Sequence, residues 1–291
     1  MSFRGLFREQ YWSSSDGLRL YSRVYDTAQH EAPAVLCLAG LTRNSRDFET
    51  LAPHLAARYR VICPDLRGRG GSQHDPNWCN YQPAVYLQDL QGLFTVLELE
   101  RVAIIGTSLG GLLAMLLAAA DPQRIVGVVL NDIGPEVDPR GLERIKRYTG
   151  QLPPVRTWQR ALEQLREVYG CAWPDLSDEA WSGLVRRSYR ADASGEPVLD
   201  VDPAIGEALR AASPAADHLW PVFASLGSLP MLVIRGALSD ILSERTLARM
   251  RRDKPGLAHV TVENRGHVPL LDEPAALAAI DRFLGELPRV R

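Results

Sequence analysis

A chain of 291 residues, 46% hydrophobic and 23% charged, is long enough to bury a large core as one big domain or two smaller ones. Its 33 basic and 35 acidic residues leave a formal charge of -2, which gives no electrostatic ground for a nucleic-acid partner or an anionic membrane. The opening residues, Met1-Ser-Phe-Arg-Gly-Leu-Phe-Arg-Glu9, lack the apolar stretch of a secretory leader. The longest apolar run, Leu109 to Ala120, is too short to span a bilayer.

Taken in chain order, Tyr11-Trp12 and Leu18 to Tyr25 flank Ser-Ser-Asp16-Gly17, which predicts a hairpin. Ala34 to Ala39 reads as a buried strand and Phe48 to Tyr59 as an amphipathic helix with Leu51 and Leu55 on one face. Arg60 to Cys63 is a short strand, Tyr81 to Leu97 a helix, and Arg101 to Ile105 a strand. Leu109 to Ala120, apolar all round, predicts a helix enclosed in the core, and Arg124 to Leu130 another strand. The pattern resumes with a strand at Met231 to Arg235 and a helix N-capped by Ser243, whose Leu242 and Leu247 are placed as a hydrophobic staple. A strand at Leu257 to Val262 follows, and Pro274 opens the last helix. Strands alternating with helices predict an α/β fold with a mainly parallel sheet covered on both faces.

Between Gly134 and Leu229 lies an interruption far longer than a crossover needs. It carries helical patterns at Gly141–Tyr148, Thr157–Tyr169, Ser177–Tyr189 and Asp202–Ala211, and Trp158, Trp173, Trp181 and Trp220 fall within it. The expected organisation is therefore a core from residues 1–133 and 230–291 with a helical cap, 134–229, over the catalytic edge. Cysteines 37, 63, 79 and 171 form no C-x-x-C pair and no metal-ligand spacing, and Cys37 and Cys63 fall in strand-like runs. With no leader, that pattern predicts a cytoplasmic protein with free thiols.

The chemistry is concentrated in Gly106-Thr-Ser108-Leu-Gly110, a G-x-S-x-G between a strand and a helix. Such a turn holds Ser108 in strained backbone geometry with its Oγ beyond the sheet edge, and glycines at 106 and 110 leave room for the crossing. A serine hydroxyl needs a base. Of six histidines, His267 follows the last strand at the same edge. His54 lies on a helix opposite Leu51 and Leu55, His30 and His74 in polar loops, His218 in the interruption and His259 in a strand. The imidazole needs a carboxylate. Asp240, in Arg235-Gly-Ala-Leu-Ser-Asp240, is taken as that acid, with Asp132, in Leu130-Asn-Asp-Ile-Gly134, as the alternative; both follow a strand at that edge. For a tetrahedral oxyanion the expected donors are the backbone N–H groups of Leu109 and of Leu41, the latter in the loop after the Ala34–Ala39 strand.

With those residues in place, the chain resembles an α/β-hydrolase-fold enzyme along nearly its whole length. Asp65-Leu-Arg67-Gly68-Arg-Gly70-Gly-Ser72 resembles the family's D-x-R-G-x-G-x-S loop, and Gly266-His267 with Glu273-Pro274 resembles its histidine loop and final helix. Two departures stand out: Ala39-Gly40 replaces the common His-Gly, and Gly236 precedes Asp240 by four positions rather than three. The Arg67–Gly71 stretch lacks the spacing of a phosphate cradle. The resemblance implies an eight-stranded sheet and a serine hydrolase that cleaves a carboxylic ester of a small or medium apolar acyl group through an acyl-enzyme. It implies a small-molecule substrate and no metal or organic cofactor. Lactone or C–C bond hydrolysis uses the same triad, and some members of the fold only bind a small ligand. Dehalogenase and epoxide hydrolase chemistry would need an aspartate in place of Ser108.

Overall fold

The computed structural model describes residues 6–26, 32–212 and 219–288. The chain opens with the predicted hairpin, β1 (Arg8–Ser13) antiparallel to β2 (Arg19–Tyr25), then β3 (Ala34–Leu38), α1 (Leu51–Ala56), β4 (Val61–Asp65), α2 (Pro83–Val96) and β5 (Val102–Thr107). It continues through α3 (Leu109–Ala120) and β6 (Ile125–Asn131), then α4 (Pro139–Tyr148), α5 (Trp158–Tyr169) and α6 (Asp178–Ser188). A short hairpin, β7 (Tyr189–Ala191) and β8 (Pro197–Leu199), leads to α7 (Ile205–Ala211) and α8 (Leu219–Ser225). The last elements are β9 (Met231–Gly236), α9 (Glu244–Asp253), β10 (Ala258–Val262) and α10 (Pro274–Glu286).

The described residues form an eight-stranded sheet in the order β1-β2-β4-β3-β5-β6-β9-β10, parallel from β4 to β10. Central strands are buried on both faces, so β4, β5 and β9 carry no exposed residue, whereas the edge strands β1 and β10 are largely exposed. One face packs on α2, α3 and α9 through residues such as Leu90, Leu113 and Met250. The other packs on α1 and α10 through Leu51, Leu55, Ile280 and Phe283. This is the expected α/β architecture with helices on both faces. Cys37 and Cys63 are buried free thiols, as their strand positions imply.

Two local expectations change. The helix predicted from Phe48 begins only at Leu51, after a 3-10 turn over Ser45–Phe48 capped by Asn44. Pro53 explains it: a helix begun at Phe48 would put proline in its interior, against the carbonyl four residues earlier, whereas a start at Leu51 leaves it in the first turn. The hairpin β7–β8 follows directly on α6. Its turn is built by Asp192, whose Oδ1 accepts the N–H groups of Ser194 (2.8 Å) and Glu196 (2.9 Å). Ser243 caps α9 as expected, its Oγ accepting the Thr246 N–H at 3.0 Å.

The segment between β6 and β9 has its own small core, in which Trp173 and Trp181 meet edge to face at 5.8 Å with Leu165 and Leu184 around them. It docks on the loop after β10: Gly266 N–H donates to Ala172 O (2.7 Å) and Trp173 Nε1–H to Val268 O (2.7 Å). A Cβ on Gly266 would fall 2.8 Å from Ala172 Cα, so this contact needs glycine. The loop after β4 anchors the segment from the other side, with Asp202 N–H donating to Gly68 O at 2.8 Å.

Within that loop, Arg67 is fully buried and its guanidinium binds Asp16, Asp75 and Asp89. The D-x-R-G stretch is thus a structural clasp between the β1–β2 turn, the loop after β4 and α2. Arg67→Met would strand the buried Asp75 and Asp89, and removing one partner of a buried charge cluster costs about 3–5 kcal/mol. Urea unfolding should report that loss, whereas a change under 1 kcal/mol would mean the cluster relaxes into water.

Candidate active site

The elbow is built as its sequence implies. Ser108 directly follows β5 with φ 53° and ψ -116°, a conformation L side chains rarely adopt, and α3 starts at the next residue. The close crossing is enforced by glycine: a Cβ on Gly106 would lie 2.4 Å from Gly110 O, and one on Gly110 would lie 2.2 Å from Leu38 O. Because β3 and β6 flank β5, the loops after these strands lie on either side of Ser108.

His267, buried in the loop after β10, has its Nε2 2.9 Å from Ser108 Oγ. Its Nδ1 is 2.8 Å from Asp132 Oδ2. The expected pairing with Asp240 is not what the structure has, and the alternative acid takes the place. Asp132 follows β6 directly with φ 55°, and its own N–H still pairs with β9, at Ile234 O (2.7 Å). That left-handed turn, which aspartate adopts more readily than most residues, keeps the carboxylate on the sheet edge. There Oδ1 accepts the Gly236 N–H (2.8 Å) and Oδ2 accepts the Ser239 hydroxyl (2.6 Å) as well as His267. Asp132 is fully buried, so all three partners are needed to replace water.

Asp240 instead faces the helix that follows β6. Its carboxylate takes two hydrogen bonds from Arg144 of α4, 2.6 Å from Nε and 2.8 Å from Nη2. Burial alone would raise the Asp240 carboxyl, but Arg144 overrides it and holds the group below the usual carboxylate range. Gly141 lets α4 come this close, since a Cβ there would stand 2.2 Å from Asp240 O. The loop after β9 therefore serves both sides: Ser239 binds Asp132, and Asp240 holds α4.

The other described histidines have no part in this cluster. His54 Nε2 is 2.9 Å from Asp281 at the surface, His74 Nδ1 is 3.5 Å from Asp202, and His259 lies on β10. His30 and His218 fall outside the described residues.

The expected oxyanion donors flank Ser108. Leu109 is the first residue of α3, where N–H groups have no intrahelical acceptor. Leu41 lines the cavity over Ser108, and neither N–H donates to a backbone carbonyl of the described residues. Gly40 brings that loop close: a Cβ on it would be 3.8 Å from Ser108 Cβ. Asn131 ties the surroundings together, donating from Nδ2 to Thr107 Oγ1 (3.1 Å) and Pro269 O (2.9 Å).

Above these groups is a cavity with about 740 Å³ of empty space, the open solvent at its mouth included. Ser108, His267 and Leu41 line its floor, and Tyr148, Tyr169, Trp173 and Arg187, from the segment between β6 and β9, line its walls. Sequence reasoning missed Ser239 and Arg144, each of which acts through a partner distant in the chain, and Arg187, which lines the cavity; no spacing signals any of them.

A family model described as "Alpha/beta hydrolase family" matches residues 35–280. The chain belongs to the alpha/beta hydrolase family. This hydrolase is 34% identical to the 3-hydroxybutyrate-oligomer hydrolase of Cupriavidus necator over 260 residues, covering 86% of this chain and 88% of that one. It is 38% identical over 260 residues to an sn-1-specific diacylglycerol lipase of Mus musculus, covering 87% and 81%. The crystal structure of an alpha/beta hydrolase from Novosphingobium aromaticivorans superposes with a TM-score of 0.91 at 48% identity, covering 96% of this chain and 98% of that one. No helix among the described residues is long and apolar enough to cross a membrane.

Proposed function

We propose that this hydrolase cleaves a carboxylic ester through an acyl-enzyme on Ser108. The observation that carries the reading is the continuous chain Ser108 Oγ to His267 Nε2 at 2.9 Å and His267 Nδ1 to Asp132 at 2.8 Å. In that order the imidazole takes the serine proton as Oγ attacks the ester carbonyl. Asp132 holds the tautomer with the proton on Nδ1 and stabilises the imidazolium. The Leu41 and Leu109 amides receive the developing oxyanion. Collapse expels the alcohol, protonated by His267, and a water activated by the same imidazole releases the acid. Residues 134–229 act as a cap that closes the cavity and excludes bulk water.

Support for an ester comes from two relatives, one named for 3-hydroxybutyrate oligomers, whose units are joined by ester bonds, and one for diacylglycerol. The aromatic walls favour small or medium acyl chains. The test is hydrolysis of 4-nitrophenyl butyrate with a pre-steady-state burst of 4-nitrophenol, together with a fluorophosphonate adduct mapped to Ser108. Inactivity on this ester, on lactones and on β-diketones, with no adduct, would leave a ligand-binding member of the fold.

A further inference from the structure

Two arginines line the cavity, and they differ in what holds them. Arg43 is engaged: its Nε donates to Asp47 (2.8 Å), Nη2 pairs with the same carboxylate, and Nη1 meets Ser188 Oγ. Burial opposes the Arg43 charge, but Asp47 holds it well above its ordinary pKa. Arg187 has nothing comparable. Its Nε is buried without a hydrogen-bond partner, and its guanidinium makes no ion pair with a described residue. The acidic groups whose charge acts on it most are Asp47, committed to Arg43, Glu49, committed to Arg23, and the exposed Asp272. Burial, the leading cause, pulls its pKa below the ordinary guanidinium value, the opposite of what a built-in partner does.

The backbone that carries this cation is tied to the loops around the reacting centre. Arg187 is in the last turn of α6, where the carbonyl end of the helix favours positive charge. Its own carbonyl accepts the Asn44 Nδ2–H at 3.1 Å, so α6 is fastened to the loop that carries the Leu41 amide. The end of α6 that carries Arg187 and the Leu41 loop thus belong to one mechanical unit. The rings of Tyr148 and Tyr169, 5.5 Å apart and edge to face, line the same cavity and offer apolar surface to an aliphatic chain.

We propose that Arg187 determines specificity by binding a carboxylate of the substrate, so that the preferred esters carry a free carboxylate besides the ester bond that is cleaved. The inference rests on Ser108 being the nucleophile of an ester hydrolase. A half-buried guanidinium without a partner is unfavourable unless a ligand supplies one, and its planar donor fork matches a carboxylate bidentately. The apolar acyl chain expected from sequence describes the walls of the cavity but omits this group.

Two matched pairs test it: 4-nitrophenyl hydrogen adipate against 4-nitrophenyl hexanoate, and 3-acetoxybutanoate against its methyl ester. The protein should prefer the anionic ester in at least one pair. In Arg187→Gln the anionic-to-neutral ratio of kcat/KM should fall by at least about 30-fold, the scale for truncating one partner of a buried charge pair. Arg187→Lys, which keeps the charge and loses the fork, should fall between. A ratio in Arg187→Gln that drops less than tenfold in both pairs overturns the proposal. Adipate should also inhibit hexanoate turnover competitively, and stronger inhibition by inorganic phosphate would overturn the choice of carboxylate. Absence of Ser108-dependent turnover on all four esters would defeat the ester-hydrolase reading instead. Calorimetric titration of adipate into Ser108→Ala and Ser108→Ala/Arg187→Gln then decides Arg187 separately: binding lost with Arg187 supports it, and equal or absent binding overturns it.

Discussion

Asp132→Asn is expected to lower kcat on 4-nitrophenyl esters by about four orders of magnitude, whereas Asp240→Asn lowers it less than about tenfold. The asymmetry follows from hydrogen-bond direction. Asp132 accepts from Gly236 N–H, from the Ser239 hydroxyl and from His267 Nδ1. An asparagine can keep an oxygen toward Gly236, but its NH2 then faces His267 and forces Nδ1 to become the acceptor. The imidazole proton moves to Nε2, where it donates to Ser108 rather than receiving the serine proton. An aspartate-to-asparagine change of this kind in a serine hydrolase costs about 10⁴ through the wrong tautomer, or roughly 5.5 kcal/mol of transition-state stabilisation. Asp240→Asn disturbs a different contact, the pair with Arg144, which is partly exposed and belongs to the docking of α4. Its effect should fall on KM and on melting temperature. Equal loss in the two variants, or a benign Asp132→Asn, would reverse the assignment made from the geometry. Fluorophosphonate labelling should drop in parallel with kcat for Asp132→Asn, and circular dichroism controls for folding.

What separates the two aspartates is also what was hidden in the sequence. Each comes soon after a strand at the same sheet edge, and each lies between Ser108 and His267 in the chain, so order and spacing admit both. The decision is made by tertiary neighbours. Arg144 claims Asp240 from α4, and the left-handed turn at Asp132 directs the other carboxylate back to Gly236 and Ser239. By contrast the elbow is legible, because it is local: a fully buried strand, a serine and glycines that steric contact demands all fall within ten residues. The sheet is legible for the same reason, since central strands buried on both faces read as unbroken apolar runs. The segment between β6 and β9 is legible as helices, yet its short hairpin is not, three-residue strands being too brief for a periodic signal even with Asp192 and Gly195 marking the turn. Arg187 is opaque for a related reason: an arginine on an amphipathic helix is by default a solvated one, and only the cavity shows otherwise.

Removing the nucleophile should produce the largest kinetic effect and, in one variant, a gain in stability. Ser108→Ala is expected to lower kcat by about 10⁵–10⁶, because the serine and histidine act as a unit and loss of either forfeits nearly all of their joint contribution. What remains is hydrolysis by water in a site that retains the Leu41 and Leu109 amides, without a burst and without an adduct. Ser108→Gly should be equally inactive but differ in stability. Alanine at φ 53° and ψ -116° keeps the backbone strain, about 1–3 kcal/mol for such a conformation, and glycine removes it. Against that stands the extra entropy glycine has in the unfolded chain, roughly 0.5–1 kcal/mol. The strain is the larger quantity, so Ser108→Gly should be the more stable of the two by about 1 kcal/mol, near 2 °C in melting temperature for a chain of this size. If Ser108→Ala instead melts higher than Ser108→Gly, the elbow is not strained, and the serine is held out over the sheet edge by packing alone. If Ser108→Ala retains more than a hundredth of the wild-type rate, the nucleophile is another group, and the acyl-enzyme route fails with it.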